Sequence, residues 1–597
     1  MIVRLKRLTL LCLAQDRDEA LTAVRELGVV HVTEMQPPEG EALDTLRARY
    51  ADAERALAAL PAEAEPAPSG RAADDVVAEI TGELARRREL GERDAALSRE
   101  LQRYAGFGDF DPDVVRELAE AGVVTLLGEA PATLKLVAPE GQVLHVVSRT
   151  RERQHFVVVV RGELGPEAPD LGAEYTVVPW PDRPPAAMRA ELAALVADQN
   201  AVEDRLRALA ADRAVVAAHL ARTAEAKRFA EVRAGMAEAD RLAILGGYVP
   251  VGDCEALREA AAREGWGLLF DDPQPDEDVP TLLHNSRLVK PVRAVFDFLN
   301  IYPGYWEADV GWVFLPFFSI FFAMIVGDAG YAALLLILAV VLQFRFKKIP
   351  RHVLNMIYIV GAFTLVWGVM TGSYFGMPDL PGFLEDLTVP WLADRDNLID
   401  LCFLIGAVHL SFAHVWNLIV NATRGAWTKV LAQVGWLLIV WSMFFLARQT
   451  VLGRGMPDYI LYLLVAGALL VVVFMKTRAE IKAQGIIDHA LLPLTLVNNF
   501  VDILSYIRLF AVGYAGVAVL AAFNDMAASI GFDNVLTAVA ASVLLLFANL
   551  LNIVLCGLGV LVHAIRLNTL EFSTHKGIAW AGHNLFTPFS SERHAAH

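Results

Sequence analysis

Ionisable and amide side chains recur at helical spacing inside two long apolar runs near the end of the chain. The first run, at about 489–523, spaces them by four, three and three residues, and the second, at about 536–566, by alternating threes and fours. Residues with such spacing share one face of a helix. Since ionisable groups within a bilayer are costly and usually face a cavity or a partner, two such helices are predicted to frame a hydrophilic ion path. The two polar faces consist of Asn498, Asp502, Ser505 and Arg508, and of Asn549, Asn552, Cys556, Gly559, His563 and Arg566.

Simpler interpretations of these residues stay open at this point. Asn549 and Asn552 also fit hydrogen bonding between helices, and His563 also fits a buried, paired histidine. Arg566 lies near the end of its run, where a long side chain can reach the interface. Arg508 is followed by a long apolar stretch, so the same explanation suits it poorly.

The chain of 597 residues is charge-rich up to about residue 307 and dominated by apolar runs of membrane-spanning length beyond it. Those runs exclude a purely soluble enzyme, and the net charge of −17 argues against a nucleic-acid partner. No GxxxxGK[ST] motif occurs, so direct nucleotide binding through a P-loop is not expected. The four cysteines are far apart and form no CxxC pair, so neither a disulfide framework nor a metal site is expected, and no cofactor.

The distribution of charge predicts eight membrane spans with both termini in the cytosol. Seven apolar runs taken as seven spans would put a basic loop, 344–352, outside and an acidic one inside, against the positive-inside rule. Splitting the first run at Gly327-Asp328-Ala329-Gly330 gives two spans of about 17 residues, the lower limit for a crossing. Asp328 then lies at an outer turn, where it either caps the turn or lines a channel. The basic loops 345–351, 424–429 and 476–482 then lie in the cytosol and the acidic loops 379–396 and 525–533 outside.

Residues 1–307 are predicted to form a cytosolic arm, and residues 308–597 a transmembrane domain with a cytosolic tail. Strand and helix patterns in 1–35 and 240–275 indicate one α/β lobe, and short apolar runs in 105–180 indicate a distal α/β lobe. Heptad-like stripes, interrupted at Gln199 and Arg213, indicate an antiparallel coiled-coil hairpin between the lobes. The predicted fold is thus mostly α, with an eight-helix transmembrane domain whose two C-terminal helices are long and tilted. The two arms of the predicted hairpin are residues 42–104 and 186–235.

Two stretches of the second half resemble the stator subunit of rotary V/A-type ATPases, which is called I in prokaryotes and a in eukaryotes. They are Asp502-Ile-Leu-Ser-Tyr-Ile-Arg508 and His563-Ala-Ile-Arg566-Leu-Asn-Thr-Leu-Glu571-Phe572. Together with further matches they cover the chain from about residue 245 onward. The further matches run in order: Gly246-Gly-Tyr-Val-Pro250, Tyr302-Pro-Gly-Tyr305-Trp-Glu307, Gly327-Asp328-Ala-Gly330-Tyr331, Trp367-Gly368 and Phe586-Thr-Pro588-Phe589.

The resemblance implies a non-catalytic, multi-pass subunit of the prokaryotic plasma membrane. Its arm would dock the peripheral-stalk E/G heterodimers and the central-stalk base subunit (C/d), and its membrane half would supply two offset half-channels that meet the carboxylates of a proteolipid (c/K/L) ring. The essential arginines of the family fall on Arg508 and Arg566. Asp328, Asp502 and His563 would line the channels, Glu571 would lie near the cytosolic mouth, and water would be held by Asn498, Ser505, Asn549 and Asn552.

This sequence departs from the family pattern at two places near the second arginine. Cys556 stands where many members carry an acidic residue, which puts one polar wall of the outer channel in doubt, and Asp328 would take over part of its role. Thr574-His575-Lys576 also differs from the usual bulky pattern.

The stator interpretation places specific demands on Arg508. A ring carboxylate that faces lipid must be neutral, and a nearby guanidinium favours its ionisation. Because a guanidinium stays protonated, it cannot pass a proton straight from one channel to the other, and lysine would block less well. The interpretation therefore requires Arg508 to face mobile acidic groups of a rotor, and a guanidinium that is neutralised by a fixed carboxylate of its own chain and lies remote from any ring would contradict it.

Two other classes of function compete with the stator. One is a secondary ion transporter with a cytosolic regulatory arm, although transporters tend to show inverted repeats and paired broken helices, and no convincing repeat is present here. The other is a membrane scaffold without conduction, in which the polar stripes only join helices. The sequence leaves open whether the coupled ion is H⁺ or Na⁺, the direction of coupling and the number of peripheral stalks.

Overall fold

The computed structural model describes residues 2–61, 70–162, 169–346, 349–377, 381–475, 491–581 and 584–590. The basic loop predicted at 476–482 and most of the predicted C-terminal tail lie outside these ranges. The described chain is mostly helical, as predicted, and divides into two compact units. The first unit comprises residues 1–10, 29–32 and 247–589, and the second comprises residues 11–28, 33–246 and 590–597.

The strands in the described part of the chain form three sheets. The largest has the order β2-β8-β1-β9 with β7 beside β8, a second has the order β4-β5-β3-β6, and β10 pairs with β11. The second sheet is antiparallel, with Val123 opposite Arg161 and Gln142 opposite Val160, and its valine-rich strands suit a pleated, half-buried surface. The strand bounds are β1 Leu5–Leu13, β2 His31–Thr33, β3 Val123–Pro131, β4 Gln142–Arg149, β5 Arg153–Arg161, β6 Thr176–Val178, β7 Ala237–Ala239, β8 Leu242–Pro250, β9 Gly267–Asp271, β10 Tyr302–Pro303 and β11 Trp580–Ala581.

The second unit contains two antiparallel helix pairs, in which α3 packs on α5 and α2 on α6. Ion pairs between α3 and α5 show the antiparallel direction, because Glu79 contacts Arg205 whereas Arg93, further along α3, contacts the earlier residue Glu191 at 2.8 Å. The helix bounds are α1 Arg17–Leu27, α2 Glu41–Ala59, α3 Ala73–Tyr104, α4 Pro112–Glu120, α5 Pro185–Leu209 and α6 Arg213–Gly235.

A short 3₁₀ turn, Ala210–Asp212, separates α5 from α6 at one of the predicted interruptions of the heptad stripe. Arg213 follows this turn, and its Nη1 donates to the carbonyl oxygens of Leu57 at 2.9 Å and Leu60 at 2.6 Å. Carbonyls at the end of a helix lack partners within the helix. The polar residue in the stripe therefore caps α2 instead of filling the seam.

The first unit carries the apolar helices. Within the described ranges, five helical stretches are long and apolar enough to cross a membrane, and the further apolar helices α9, α10 and α16 are shorter, at 16, 17 and 16 residues. Two of the five are the long C-terminal stretches Pro493–Ile530 and Val535–Lys576. The helix bounds are α7 Cys254–Glu264, α8 Arg293–Leu299, α9 Gly311–Val326, α10 Ala329–Arg345, α11 Arg351–Thr371, α12 Gly382–Glu385, α13 Pro390–Ala393, α14 Arg395–Thr423, α15 Trp427–Leu452, α16 Tyr459–Phe474, α17 Leu492–Ser505, α18 Ile507–Ile530, α19 Val535–Gly559 and α20 Ser573–Lys576.

The predicted break in the first apolar run is confirmed, since α9 ends at Val326 and α10 begins at Ala329. Gly327 ends α9 with φ of +65°, a left-handed conformation that favours glycine. Asp328 caps α10, because its Oδ1 accepts hydrogen bonds from the backbone N–H groups of Gly330 at 2.8 Å and Tyr331 at 3.1 Å. Asp328 therefore caps the turn, which is one of the two roles considered for it from the sequence.

An aromatic core fixes the two long helices near the arginines. Tyr506, fully buried at the junction of α17 and α18, shares a hydrogen bond of 2.8 Å between its hydroxyl and Nδ1 of His409 on α14. The His409 ring stacks on Phe317 and Phe572, with centroid distances of 4.0 and 4.7 Å. Because Tyr506 and Phe572 are anchored in this way, the residues next to them in sequence are held at defined positions.

Candidate functional site

Both predicted arginines contact one buried carboxylate. Arg508 Nη2 donates to Glu571 Oε1 at 2.6 Å, and Arg566 Nε lies 3.4 Å from the same oxygen. The Glu571 side chain is only 4% exposed, whereas those of Arg508 and Arg566 are 22% and 52% exposed. Two guanidiniums and one carboxylate leave one positive charge, so the cluster can still attract an anionic group that reaches its exposed side.

Two π-helical segments bring Glu571 to the arginines. They span Val560–Ala564 and Leu567–Phe572, between α19 and α20, and Arg566 lies between them. Residues five apart, such as Arg566 and Glu571, lie on different faces of an α-helix but close together where the helix is widened to i→i+5 bonding. Such π-bulges occur frequently at functional sites.

The structure bears on two expectations about this cluster. The Glu571 side chain is buried beside Arg508, because the widened helix turns it inward, and its position near the cytosolic mouth of a channel stays a prediction. The stator interpretation requires Arg508 to face mobile acidic groups of a rotor, and in this chain Arg508 also has a fixed partner, Glu571. The excess positive charge limits the consequence, since Glu571 cannot neutralise both guanidiniums.

A second group of polar residues lies along α17 and α20. Asp502 Oδ2 is 3.1 Å from Nε2 of His575, and the Asp502 side chain is 24% exposed. Ser505 Oγ donates to the backbone carbonyl of Asp502 at 2.6 Å, so this hydroxyl is occupied within its own helix. Asn498 is exposed, whereas its neighbour Asn499 is 2% exposed, and the Asn499 side-chain amide has no hydrogen-bond partner in the described part of the chain.

A third group joins α10 to α19. Tyr331 donates its hydroxyl hydrogen to Asn549 Oδ1 at 2.8 Å, and Asn552 Nδ2 lies 3.5 Å from the same hydroxyl. Asp328, at the start of α10, is 1% exposed and accepts a further hydrogen bond from Ser373 Oγ at 2.9 Å. Asn549 and Asn552 therefore link α19 to α10 by hydrogen bonds, as the simpler interpretation of these two residues expects.

Small residues on α18 let α19 approach closely. A methyl group at Gly516 would lie 2.9 Å from Asn552 Oδ1, so only glycine fits there without displacement. A cavity of about 410 Å³ opens beside this contact and is lined by Asn552, Cys556 and His563. His563 thus shares a cavity with Asn552, and its buried Nδ1 has no hydrogen-bond partner within the described ranges.

Relatives with established names match along the chain. No family model matches it. V-type ATP synthase subunit I 1 of Treponema pallidum (strain Nichols) is 33% identical, over 99% of this chain and 100% of the relative. V-type ATP synthase subunit I of Borreliella burgdorferi is 34% identical over 56% of this chain and 58% of the relative. A-type ATP synthase subunit I of Methanocaldococcus jannaschii is 24% identical over 68% of this chain and 63% of the relative.

The chain belongs to the V/A-type ATP synthase subunit I family. The match to the first relative is end to end, so membership covers the N-terminal half as well, where the resemblance noted from sequence rested on architecture more than on motifs. The apolar helices agree with a membrane protein of this family.

Several polar residues of the site were not among the channel candidates named from the sequence. Tyr331 and Ser373 flank Asp328, Asn499 is buried where the sequence analysis points to Asn498, and His414 and His575 lie beyond Asp502. The sequence offered signals for some of them, since Tyr331 belongs to a family motif, His414 stands in an apolar run and His575 lies where the family pattern is broken.

Proposed function

We propose that this chain is the ion-conducting, non-catalytic stator subunit of a rotary V/A-type ATPase. The positively charged cluster of Arg508, Arg566 and Glu571 carries the proposal, because it holds one excess positive charge on a partly exposed face of the two long helices. A ring carboxylate that leaves lipid and reaches this face is stabilised as an anion and releases its ion. Glu571 holds Arg508 in place, and the excess positive charge of the cluster stabilises the ionised ring carboxylate.

Two half-channels lead to this cluster from opposite sides. The outer one is lined by Asp328, Asn549, Asn552 and His563, which in this chain replace the acidic residue absent at Cys556. The inner one begins at Asp502, with Asn498 and Ser505 beside it. The hydrogen bonds support two separate channels. The polar groups near Asp328 join α10 to α19, whereas Asp502 on α17 contacts His575 on α20.

Eight helices cross the membrane, with both termini in the cytosol. The five stretches of spanning length and the three shorter apolar helices of the described residues support this number, and the capped break at Gly327-Asp328 supports separate crossings by α9 and α10. A helix of 16 or 17 residues is about 24–26 Å long, close to the apolar thickness of a thin bilayer. The membrane is the prokaryotic plasma membrane, as the bacterial and archaeal relatives suggest.

The N-terminal residues 1–307 form an arm that anchors the stator. The two antiparallel helix pairs act as a coiled-coil hairpin, over 42–104 and 186–235, between a base lobe of 1–35 with 240–275 and a distal lobe of 105–180. Peripheral-stalk E/G heterodimers and the central-stalk base subunit (C/d) dock on this arm, and the membrane domain of 308–597 faces the proteolipid ring. The many ion pairs across α3 and α5 support a rod that resists bending under torque.

Replacement of Arg508 by alanine in the assembled complex tests the proposal. We expect R508A to lose ATP-driven ion uptake into reconstituted vesicles while the complex still assembles and hydrolyses ATP. Arg351→Ala, an exposed arginine at the start of α11, is the matched control and should pump at the wild-type rate. Wild-type uptake by R508A would refute the stator role and favour a scaffold.

A further inference from the structure

A continuous line of hydrogen bonds runs from Asp502 through two histidines to α15. His575 Nε2 lies 3.1 Å from Asp502 Oδ2, and His575 Nδ1 lies 2.9 Å from Nε2 of His414 on α14. His414 Nδ1 in turn lies 2.8 Å from Oε1 of Gln433 on α15. The line therefore joins α17, α20, α14 and α15 by three bonds of hydrogen-bonding length.

The two histidines of this line are shielded from solvent, and Gln433 at its end is more exposed. His414 is 4% exposed and the His575 side chain 7%, whereas Gln433 is only half-buried. Trp436 covers His414 in a stacked arrangement at a centroid distance of 6.0 Å. Asn417 Nδ2 donates to the backbone carbonyl of His575 at 3.1 Å and so ties the end of the last helix to α14.

The hydrogen-bond directions give the line one mobile proton. Gln433 presents a carbonyl oxygen, which only accepts, so His414 carries its hydrogen on Nδ1 and accepts at Nε2 when neutral. His575 must then donate from Nδ1, which leaves its Nε2 to accept from a protonated Asp502. Asp502 and His575 thus share one proton, as acid and imidazole or as carboxylate and imidazolium.

We infer that Asp502, His575 and His414 form a proton relay that connects the inner half-channel to the cytosol beside Gln433, an inference that rests on the proposed function. The proton on Asp502 moves to His575 Nε2 and leaves a carboxylate and an imidazolium. His575 then gives its Nδ1 proton to His414 Nε2, and His414 releases its own Nδ1 proton to a water molecule that replaces the Gln433 carbonyl. Each hop breaks one N–H or O–H bond and forms another, and both histidines end with their hydrogen on Nε2. A proton that enters at His414 Nδ1 reverses the hops and restores the starting tautomers and the charge of Asp502. Repeated passage in the outward direction requires both imidazole rings to turn between protons.

The position of the exit agrees with the predicted topology. Gln433 is in the second turn of α15 and His414 lies in the last third of α14, so both are near the turn at 424–426, which carries the basic residue Arg424. Asp502 and Arg508 are six residues apart on consecutive helical segments, about 9 Å along the axis. The relay therefore spans the distance between the arginine cluster and the basic side of the membrane domain.

A relay of imidazole nitrogens carries protons and offers no path to a sodium ion, so the inference also selects H⁺ as the coupled ion. Wild-type complex in vesicles should acidify their interior during ATP hydrolysis in sodium-free buffer. A strict requirement for Na⁺ would overturn the relay.

Histidine variants of the assembled complex test the relay directly. H414Q retains a hydrogen-bonding group but cannot pass a proton, and we expect its initial rate of proton uptake, per assembled complex, to fall about a hundredfold, the lower end of the effect of a positioned proton-transfer group. H414A should show the same loss, and millimolar imidazole should restore part of the rate by entering the space left by the side chain. His352→Gln, at the start of α11 and outside the relay, is the matched control and should leave uptake unchanged.

The outcomes separate the relay from the stator proposal. If H414Q pumps at the wild-type rate while R508A does not, the relay is wrong and the stator role stands. If R508A also pumps, the stator role itself fails. If H414A and H414Q lose uptake only in proportion to lost assembly and imidazole restores nothing, His414 is structural and the relay is overturned.

Discussion

At the scale of single residues, the central finding is one carboxylate shared by two arginines. Glu571 is nearly inaccessible, and Arg508 and Arg566 reach it from different directions through the same oxygen. Removal of one partner from a buried charge pair leaves the other charge uncompensated and costs more than the pair itself contributes. Glu571 is therefore predicted to matter for stability and for the placement of Arg508.

Glu571→Gln tests this arrangement. We expect E571Q to destabilise the purified chain in detergent by about 3 kcal/mol, at the lower end of the range for buried pairs because both guanidiniums remain partly exposed. Thermal unfolding followed by far-UV circular dichroism measures the effect. Glu571→Asp, which keeps the charge, should lose less stability than E571Q.

A double variant distinguishes charge compensation from simple packing. R508Q combined with E571Q removes both charges of the closer pair, so its loss of stability should be smaller than the sum of the two single losses. Strict additivity would mean that the 2.6 Å contact contributes nothing to stability.

At the scale of elements, the sequence predicts features that have a regular period or a local signal and misses those that have neither. The Gly327-Asp328 break was predicted from the charge of the loops, and the structure adds a glycine with positive φ and an aspartate cap at that point. The contact of Glu571 with both arginines was not predicted, because residues five apart lie on different faces of a regular α-helix and nothing local marks the two π-helical segments. The relay histidines were missed for another reason, since His414 and His575 are 161 residues apart and meet only through packing.

The ion pairs between α3 and α5 give a prediction for the arm. The pKa of Glu79 is lowered, first by the hydrogen bond from Arg71 at 2.6 Å and then by Arg205, with burial acting in the opposite direction. A carboxyl with a lowered pKa adds stability above its ordinary pKa, and that contribution disappears as the pH falls through the lowered value. E79Q should therefore lower the free energy of unfolding of the full chain at neutral pH, by less than about 1 kcal/mol for a surface network.

The pH dependence of the stability loss in E79Q shows whether the charge of Glu79 is its cause. The difference between the wild type and E79Q should shrink when thermal unfolding is repeated at a pH of about 3.5, below the ordinary range of a carboxyl group. Glu89→Gln, an exposed position on the same helix, should show no difference at either pH. An E79Q effect that is equal at both pH values would show that charge is not its source.

At the scale of the whole molecule, the number of crossings decides how every proposed channel is oriented. The two shortest helices at the start of the membrane domain, α9 and α10, are the ones on which the number depends. If both cross, the segments before α9 and after α10 lie on the same side, and the segment after α11 lies on the other. If they form a single crossing, the first two segments lie on opposite sides and the proposed inner and outer channels exchange places after α10.

Single cysteines at Leu288, Arg345 and Asp386 measure this directly, because all three positions are exposed and lie before α9, at the C-terminal end of α10 and after α11. The four native cysteines are buried, so they should react slowly with a membrane-impermeant maleimide and provide the background in an unmodified chain. In inside-out vesicles that contain the assembled complex, we expect L288C and R345C to be labelled and D386C to be protected until detergent is added. Labelling of L288C with protection of R345C would reduce the number of crossings to seven and place the basic loop at 345–351 outside, against the charge distribution from which the topology was predicted.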